Sequence, residues 1–336
     1  MKKIINNPSD IIPEMVNGLV RSYPNYLKQI EGTYVVARND GDKKKKVGIV
    51  SGGGSGHEPL HAGFVGKGML DAAVCGQVFT SPTPDEVLAA IKESDQGMGV
   101  LLIVKNYSGD VMNFDIAKDM AEMEDIKVEQ VIVDDDIAVE DSTYTQGKRG
   151  VAGTILVEKI IGSAAENGMS LEDLATLGKK VIEQTKTIGV ALKPATVPEV
   201  GKPGFEIADD EIEYGVGIHG EPGYKREKLV ESKKLVEELI TKLDASYDGL
   251  SGKKFAVLTN GLGATPLMEQ YVFMNDVLNK LEEKKANVLF TKVGSYVTSL
   301  EMAGVSLTLL ELTDDEWLKE LNDSANTIGW GDTNVR

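Results

Sequence analysis

The sequence is poor in several residue types, and each shortage excludes a class of protein. It has one cysteine, Cys75, in 336 residues, so no disulfide framework can form within the chain, and a reducing compartment is expected. Its 36 lysines and arginines are outnumbered by 53 aspartates and glutamates, which gives a net charge of -17 at pH 7. Because nucleic-acid binding needs clustered positive charge, we expect no nucleic-acid partner.

The chain also lacks the apolar runs that mark membrane spans and secretion signals. No run approaches the roughly 20 apolar residues that cross a bilayer. The amino-terminal MKKIINNPSD has too few apolar residues for a signal peptide. One basic run, the lysines at 43–46, precedes a predicted strand and is interpreted as a solvated turn. The sequence therefore predicts a cytoplasmic protein with no membrane partner.

What the sequence does contain is a regular alternation of short apolar runs and helical patterns. The runs at 47–50, 71–75, 100–104 and 128–133 predict strands, and amphipathic stretches lie between most of them. This alternation is typical of a parallel, doubly wound α/β sheet.

The length of the chain favours two domains. Helical patterns at 151–167 and 171–187 are followed, near residue 190, by scattered proline and glycine. We therefore predict two α/β domains, at 1–189 and 190–336, each with a central sheet flanked by helices and with the substrate site at the loops between them. The elements predicted in the second domain are a helix at 225–244 and strands at 255–258, 287–291 and 305–312.

The strand at 47–50 runs into a glycine-rich segment, SGGGSGHEP at 51–59. Glycine can take positive φ and lets the backbone approach a ligand, and open α/β sheets bind ligands beyond the carboxyl ends of their strands. We therefore expect a loop that delivers His57 to such a crevice. The segment HEPLH matches H-E-x-x-H, but the preceding glycines and Pro59 disfavour the established helix that a zinc site needs. His61 is accordingly interpreted as a packing or capping residue.

Two of the three histidines lie in similar surroundings, GHEP at 56–59 and HGEP at 219–222. They belong to different predicted domains, so they could face each other across a cleft. A neutral imidazole can act as a base or as a nucleophile near neutral pH. Asp110 follows a predicted strand and can point into the same crevice, the alternative being an N-cap for a helix that starts at Val111. These residues indicate a small polar substrate in an interdomain cleft.

Four motifs, in this order, resemble those of the dihydroxyacetone-binding subunit of dihydroxyacetone kinases. They are GGGSGHEP at 52–59, NYSGD at 106–110, GVGIHGEPG at 215–223 and NGLGATPL at 260–267. The resemblance implies that the imidazole of His219 attacks the carbonyl of dihydroxyacetone and holds it as a covalent hemiaminal. It also implies that His57 and Asp110 assist deprotonation of the hydroxyl that is phosphorylated. The positions implied to help hold the substrate are Gly54, Ser81 and Lys105.

The resemblance also implies partners. ATP-dependent members of the family carry a further helical nucleotide-binding domain, whereas this sequence ends at Arg336, as in the bacterial type. In that type a separate subunit holds ADP and Mg²⁺ and is recharged by a phosphocarrier of the phosphotransferase system. The sequence has no G-K-[ST] triphosphate motif, so we expect no cofactor on this chain. The resemblance further implies a homodimer and a part in glycerol metabolism. The alternative is a non-catalytic paralogue that binds dihydroxyacetone and co-activates a transcriptional regulator.

Overall fold

The computed structural model describes residues 2–39, 41, 44–140 and 145–331, and it contains two six-stranded sheets flanked by helices. The strands are β1 (Leu27–Gln29), β2 (Val35–Arg38), β3 (Gly48–Ser55), β4 (Ala72–Val78), β5 (Val100–Lys105), β6 (Val128–Val133), β7 (Thr185–Lys193), β8 (Glu211–Tyr214), β9 (Lys225–Lys228), β10 (Lys254–Gly261), β11 (Asn287–Gly294) and β12 (Ala303–Glu311). The α-helices are α1 (Ile11–Ser22), α2 (Pro84–Ser94), α3 (Ser108–Glu122), α4 (Thr154–Glu166), α5 (Leu171–Glu183), α6 (Ser232–Ser246), α7 (Leu267–Glu283) and α8 (Asp315–Asn322). The predicted fold class is confirmed.

The first sheet has the order β1-β2-β4-β3-β5-β6. Its last four strands are parallel, as predicted, while β1 and β2 add an antiparallel edge that the sequence analysis missed. Along β5, Leu101 and Ile103 join the core with α1, α4 and α5, whereas Leu102 and Val104 pack with α2 and α3. Both faces of the sheet are therefore covered, which is why β5 is continuously apolar. Each such fully buried side chain contributes about 1.5–3 kcal/mol.

The second sheet has the order β11-β10-β12-β7-β8-β9 and is mostly antiparallel, with β10 and β11 as its parallel pair. On one face Val257 and Leu309 pack against α6 and α7. On the other face Ala256 and Leu258 belong to the same core as α4, α5 and α8. The two sheets thus share one apolar layer, so the loops of one sheet are held firmly against those of the other.

The prediction for the segment that forms β7 was wrong. A helix was expected to continue to residue 187 and a linker to begin near 190, but α5 ends at Glu183 and β7 follows after Gln184 alone. No turn signal separates the two elements, and the strand becomes evident only through its antiparallel register with β12. The domain boundary drawn between residues 189 and 190 consequently falls inside β7.

The prediction of a helix at 225–244 was also wrong in its first part. Residues Lys225–Lys228 form β9, an edge strand paired with β8, and α6 begins only at Ser232. A short charged strand is typical of a sheet edge, where solvent meets one side of the backbone. Its charge made this segment resemble a solvated helix.

The lysines at 43–46 do not form a simple solvated turn. Lys44 and Lys45 are exposed, but Lys46 is buried and its Nζ donates a hydrogen bond to Oδ2 of Asp71. Lys43 lies outside the described residues. The apolar stem of a lysine can lie along apolar surface inside the protein when a carboxylate pairs with its ammonium group. The sequence alone could not indicate this pairing.

Across the part of the chain that the structure describes, every helix falls short of the length and apolar content needed to cross a membrane.

Candidate functional site

The candidate site lies where the carboxyl ends of three neighbouring parallel strands meet, those of β4, β3 and β5. The expected glycine loop is mostly strand, because β3 continues to Ser55. At Gly53 a Cβ atom would lie 2.6 Å from Nζ of Lys105 and 3.3 Å from Oδ2 of Asp110. This glycine therefore makes room for two charged side chains of the site.

His57 follows β3 after a turn in which Gly56 has φ 107°. Its Nδ1–H donates to the carbonyl oxygen of Thr298 at 2.7 Å, and its ring stacks on that of Phe79 with centroids 5.0 Å apart. Burial, followed by the positive charges of His219 and Lys105, lowers the pKa of His57 well below its usual value. Burial therefore disfavours a second ring proton on His57.

His219 reaches the same place from the loop between β8 and β9. Its Nε2 lies 3.1 Å from Nε2 of His57, which confirms the expectation that the two histidines face each other. The edges and faces of aromatic rings enclose it: Tyr107 and Phe79 lie at centroid distances of 4.5 and 5.1 Å. The side chain of His219 keeps 15% of its surface exposed, so a ligand can reach it from the cleft.

Glu221 fixes the orientation of His219. Its Oε1 lies 3.2 Å from Nδ1 of His219, and its Oε2 accepts the backbone N–H of the same residue at 2.9 Å. Burial alone would raise the pKa of Glu221, but the hydrogen bond and charge of His219, helped by Arg149, lower it below its usual value. An anionic carboxylate thus requires a proton on Nδ1 of His219, which leaves Nε2 as the atom that faces the cleft.

Asp110 lies in the first turn of α3 and is not its N-cap. The helix begins at Ser108, three residues earlier than expected, and Tyr107 occupies the N-cap position, so the capping alternative is wrong. The Oδ2 atom of Asp110 lies 3.9 Å from Nζ of Lys105, and both side chains are buried. Burial lowers the pKa of Lys105, although the charges of Asp110 and Glu158 oppose this effect.

An open cleft of about 670 Å³ lies beside these side chains. Of the six residues predicted for the site, four line it directly, namely Gly54, Ser81, Asp110 and His219. The other two, His57 and Lys105, lie behind this surface and reach it through His219 and Asp110. The structure therefore brings all six predicted residues together at one cleft.

The two facing imidazoles have a specific proton requirement. Nδ1–H of His57 donates a hydrogen bond to the carbonyl oxygen of Thr298, and the proton on Nδ1 of His219 is donated to the carboxylate of Glu221. A neutral imidazole has one ring proton, and in both rings that proton is on Nδ1. The 3.1 Å contact between the two Nε2 atoms is therefore a hydrogen bond only if a third proton lies between them. This third proton is disfavoured on buried His57, so it is easily given up to an acceptor in the cleft.

The two histidines of the H-E-x-x-H match have different partners. Residues 57–61 form no α-helix, and a short 3₁₀ helix follows at Ala62–Phe64. Whereas His57 contacts His219, Nδ1 of His61 lies 2.6 Å from Oε1 of Glu158. Within the described ranges, no three His, Cys, Asp or Glu side chains converge as a metal site requires.

Several residues of the site were not predicted. Glu221 stands two residues after His219 in the HGEP motif, and this spacing could have indicated a side chain that holds the imidazole. Phe79 and Tyr107 each follow the end of a predicted strand, a position that indicates the ligand edge of the sheet. Glu158 has no such signal, because it lies in the apolar helix α4, far along the chain from its partner.

Comparisons with known proteins agree on one family. The family model described as the Dak1 domain matches residues 17–329. The chain is 61% identical over 330 residues to the PTS-dependent dihydroxyacetone kinase 1, dihydroxyacetone-binding subunit DhaK, of Listeria innocua serovar 6a, covering 98% of this chain and 100% of that protein. It is 58% identical over 330 residues to the corresponding PTS-dependent subunit DhaK of Lactococcus lactis subsp. lactis, covering 98% and 99%. Among solved structures, the dihydroxyacetone kinase operon co-activator Dha-DhaQ matches with a TM-score of 0.89 and 41% identity over 95% of this chain and 98% of that chain.

Proposed function

Since this chain belongs to the Dak1 domain family, we propose that it is the dihydroxyacetone-binding subunit of a phosphotransferase-system-dependent dihydroxyacetone kinase. The observation that carries the proposal is the 3.1 Å contact between Nε2 of His219 and Nε2 of His57 at the edge of the cleft. One imidazole can attack a carbonyl there while the other transfers a proton. We call His219 with Glu221 the capture half of the site, and Asp110 with Lys105 the transfer half.

Capture of dihydroxyacetone needs a nucleophile, an acid and a compensating charge. The lone pair on Nε2 of His219 forms a bond to the carbonyl carbon, and the π pair of the carbonyl moves to its oxygen. That oxygen takes the proton shared by the two Nε2 atoms, which leaves His57 neutral and gives a hydroxyl. The alkylated ring of His219 now has the positive charge, and the carboxylate of Glu221 at Nδ1 balances it. The product is a hemiaminal, formed with no further reactant.

Transfer then takes place at a terminal hydroxyl of the captured substrate. Phosphoryl transfer depends mainly on positioning and on stabilisation of charge, with a carboxylate accepting the proton of the attacking hydroxyl. Asp110 borders the cleft and is the carboxylate that we assign to this role. The ammonium of Lys105 behind it stabilises negative charge, and Gly54 and Ser81 line the wall against which the substrate lies.

The phosphoryl group comes, in this proposal, from a separate subunit that holds ADP and Mg²⁺ and is recharged by a phosphocarrier of the phosphotransferase system. The names of the Listeria innocua and Lactococcus lactis relatives, which the chain matches over nearly their whole length, support a kinase that has several subunits and depends on the phosphotransferase system. We further propose that the chain acts in the cytoplasm as a homodimer and binds no cofactor itself. Its role would then lie in glycerol metabolism.

Mixing the chain with a nucleotide-bearing subunit tests the proposal. Dihydroxyacetone phosphate should form only when that subunit is present in its recharged state. The chain alone, supplied with ATP and Mg²⁺, should neither hydrolyse ATP nor phosphorylate dihydroxyacetone. Sustained ATP-dependent turnover by this polypeptide alone, free of contaminating kinase, would contradict the proposed division between subunits.

A second candidate is a non-catalytic co-activator that binds dihydroxyacetone. The solved co-activator Dha-DhaQ favours it, because this chain matches that structure over almost its full length. The higher identity to two kinase subunits, 61% and 58% against 41%, favours catalysis. The mixing experiment separates the two: a co-activator would capture dihydroxyacetone but would transfer no phosphate with any recharged subunit.

A further inference from the structure

Behind the ammonium of Lys105 lie buried polar side chains, His61 and Glu158, that the proposed mechanism does not use. Nζ of Lys105 lies 3.1 Å from Nε2 of His61, and Nδ1 of His61 lies 2.6 Å from Oε1 of Glu158. The hydroxyl of Ser51 lies 3.0 Å from the same Nδ1. Lys105, His61 and Glu158 are almost completely buried, the last with no exposed surface at all.

The donors and acceptors of these side chains have one consistent arrangement. A lysine ammonium can only donate, so Nε2 of His61 must accept from Lys105. The proton of the neutral ring then lies on Nδ1 and is donated to Glu158. Burial, followed by the positive charge of Lys105, lowers the pKa of His61 well below its usual value, which agrees with a neutral ring. His61 thus links the ammonium to the carboxyl group in a fixed tautomer.

Glu158 has no evident purpose as a packing residue. Its Oε2 is buried and has no hydrogen-bond partner among the described residues. Leaving a buried carboxyl oxygen unpaired costs about 1–3 kcal/mol or more, so packing alone does not explain a glutamate at this position of α4. Burial raises the pKa of Glu158 to about 8, although Lys105 opposes the shift. A costly group that contacts the site through one histidine points to a role in the site.

We propose that His61 and Glu158 are positioning residues for phosphoryl transfer, which hold the Lys105 ammonium, charged and in place, behind Asp110. Without His61 the ammonium would lose the acceptor at its buried end, leaving the carboxylate of Asp110, 3.9 Å away, as its neighbour at the cleft. It could then rotate toward Asp110 and compete with the substrate hydroxyl for that carboxylate. Above about pH 8, where Glu158 is ionised, its negative charge also favours the protonated form of the ammonium, and this contribution would be lost without it. This role rests on the proposed function.

Two substitutions of His61 separate the contact with Lys105 from the contact with Glu158. The amide nitrogen of His61→Asn stands near the position of Nδ1 and can still donate to Glu158, but it offers Lys105 no acceptor. The amide oxygen of His61→Gln reaches the position of Nε2 and can still accept from Lys105. We expect His61→Asn to lower kcat for phosphate transfer about 10- to 100-fold, by analogy with the loss of activity when hydrogen-bond partners of metal ligands are removed. His61→Gln should recover most of that loss, and dihydroxyacetone capture should persist in both variants.

The alkaline limb of the pH–rate profile reports the charge of Lys105. The titratable groups that face its ammonium are Asp110, Glu158, His61 and His57. Glu158→Gln removes a negative charge that raises the pKa of Lys105, so Lys105 should lose its proton at a lower pH. The alkaline limb of phosphate transfer should therefore move to lower pH in this variant.

A matched control is Glu320→Gln in α8. Glu320 is likewise buried, has an Oε2 without a partner among the described residues, and has its pKa raised by burial to about 7, but it lies outside the cleft. This substitution should leave the alkaline limb where it is in the wild type. Thermal unfolding followed by circular dichroism checks that each variant is folded.

The outcomes are distinct. Three results together would support the positioning role. They are a reduced kcat in His61→Asn, a recovered kcat in His61→Gln, and an alkaline limb that moves in Glu158→Gln but not in Glu320→Gln. Wild-type rates in His61→Asn with an unmoved limb in Glu158→Gln would overturn it. So would equal losses of capture and transfer, or the same shift in Glu320→Gln, since these indicate a merely structural role. If His61→Asn does not fold, the limb in Glu158→Gln decides. A wild-type protein that neither captures nor transfers would instead overturn the proposed function, and this role with it.

Discussion

His219 belongs to the capture half of the candidate site and Lys105 to the transfer half, and the two residues are held in place by different kinds of contact. His219 is bound by Glu221, two residues further along one loop, and part of its side chain remains exposed. Lys105 is almost fully buried, and its line of contacts joins residues 44 and then 97 positions apart in the chain. The capture half is therefore local and open to solvent, whereas the transfer half is built into the core of the first sheet.

This difference follows from what each step requires. A nucleophile that bonds reversibly to a small ketone must be reachable from solvent, and one loop can supply it together with its counter-charge. Stabilising the charge of phosphoryl transfer requires groups that do not move when the reaction occurs, and a packed core supplies that rigidity. Capture and transfer can therefore be damaged separately, and substitutions in the two halves of the site test that separation.

The largest effect is expected from His219→Ala, which removes the nucleophile of the capture half. Adduct formation should be lost completely, and with it the preference for dihydroxyacetone over glycerol, which has similar hydroxyl groups but no carbonyl. Competition calorimetry with the two compounds measures this preference. An undiminished preference for dihydroxyacetone in the variant would show that recognition does not depend on the covalent bond.

The next largest effect is expected from Asp110→Asn, which should slow phosphate transfer. The amide keeps the shape of the carboxylate but accepts no proton, so transfer should slow by about 10²- to 10⁴-fold, or roughly 3 to 5 kcal/mol of barrier. The rate is measured with a recharged partner subunit. Asp119→Asn, an exposed position on the same helix, is the control and should react at the wild-type rate. Near-normal transfer by Asp110→Asn would remove this residue from the catalytic machinery.

Glu221→Gln should weaken the capture half without abolishing it. The neutral amide cannot balance the positive charge that forms on alkylated His219, and a charge-assisted hydrogen bond becomes an ordinary one. A loss of about 1 to 2 kcal/mol corresponds to roughly tenfold weaker capture. Titration of adduct against dihydroxyacetone concentration measures it, with Glu227→Gln in β9 as the control. Unchanged occupancy would mean that Glu221 only shapes the loop.

The smallest expected effect concerns stability and comes from buried His57. Its pKa in the folded state lies below the value of about 6.5 in the unfolded chain, so the unfolded state takes up a proton first as the pH falls. The contribution of this group to stability is therefore present above about pH 6.5 and is lost below it, by up to about 1.4 kcal/mol per pH unit. The His57→Gln variant lacks this pH-dependent contribution to stability. Urea unfolding of both proteins from about pH 7 to about pH 5 should show their free energies of unfolding converging, whereas parallel curves would argue against a neutral buried His57.

The sequence predicted the parts of the site that are local in the chain. The histidine motifs, the strand ends and the position of Asp110 after a strand were enough to indicate a cleft between two α/β units. Prediction failed where structure depends on distant contacts. The strand β7 follows a helix without a turn signal, and Glu158 in its apolar helix gains a role only when folding brings His61 beside it. The glycine-rich segment was expected to let the backbone approach a ligand, whereas at Gly53 the absence of a side chain makes room for Lys105.

The separation of capture from transfer is tested most directly by following the central carbon of dihydroxyacetone on two proteins side by side. Carbon-13 NMR with substrate labelled at that carbon distinguishes a free ketone from a hemiaminal carbon bonded to nitrogen. Wild type and Asp110→Asn should show the same hemiaminal signal at the same occupancy, while a recharged partner subunit transfers phosphate at a normal rate only to the wild type. Loss of the hemiaminal signal in Asp110→Asn, or its absence from both proteins, would contradict the account.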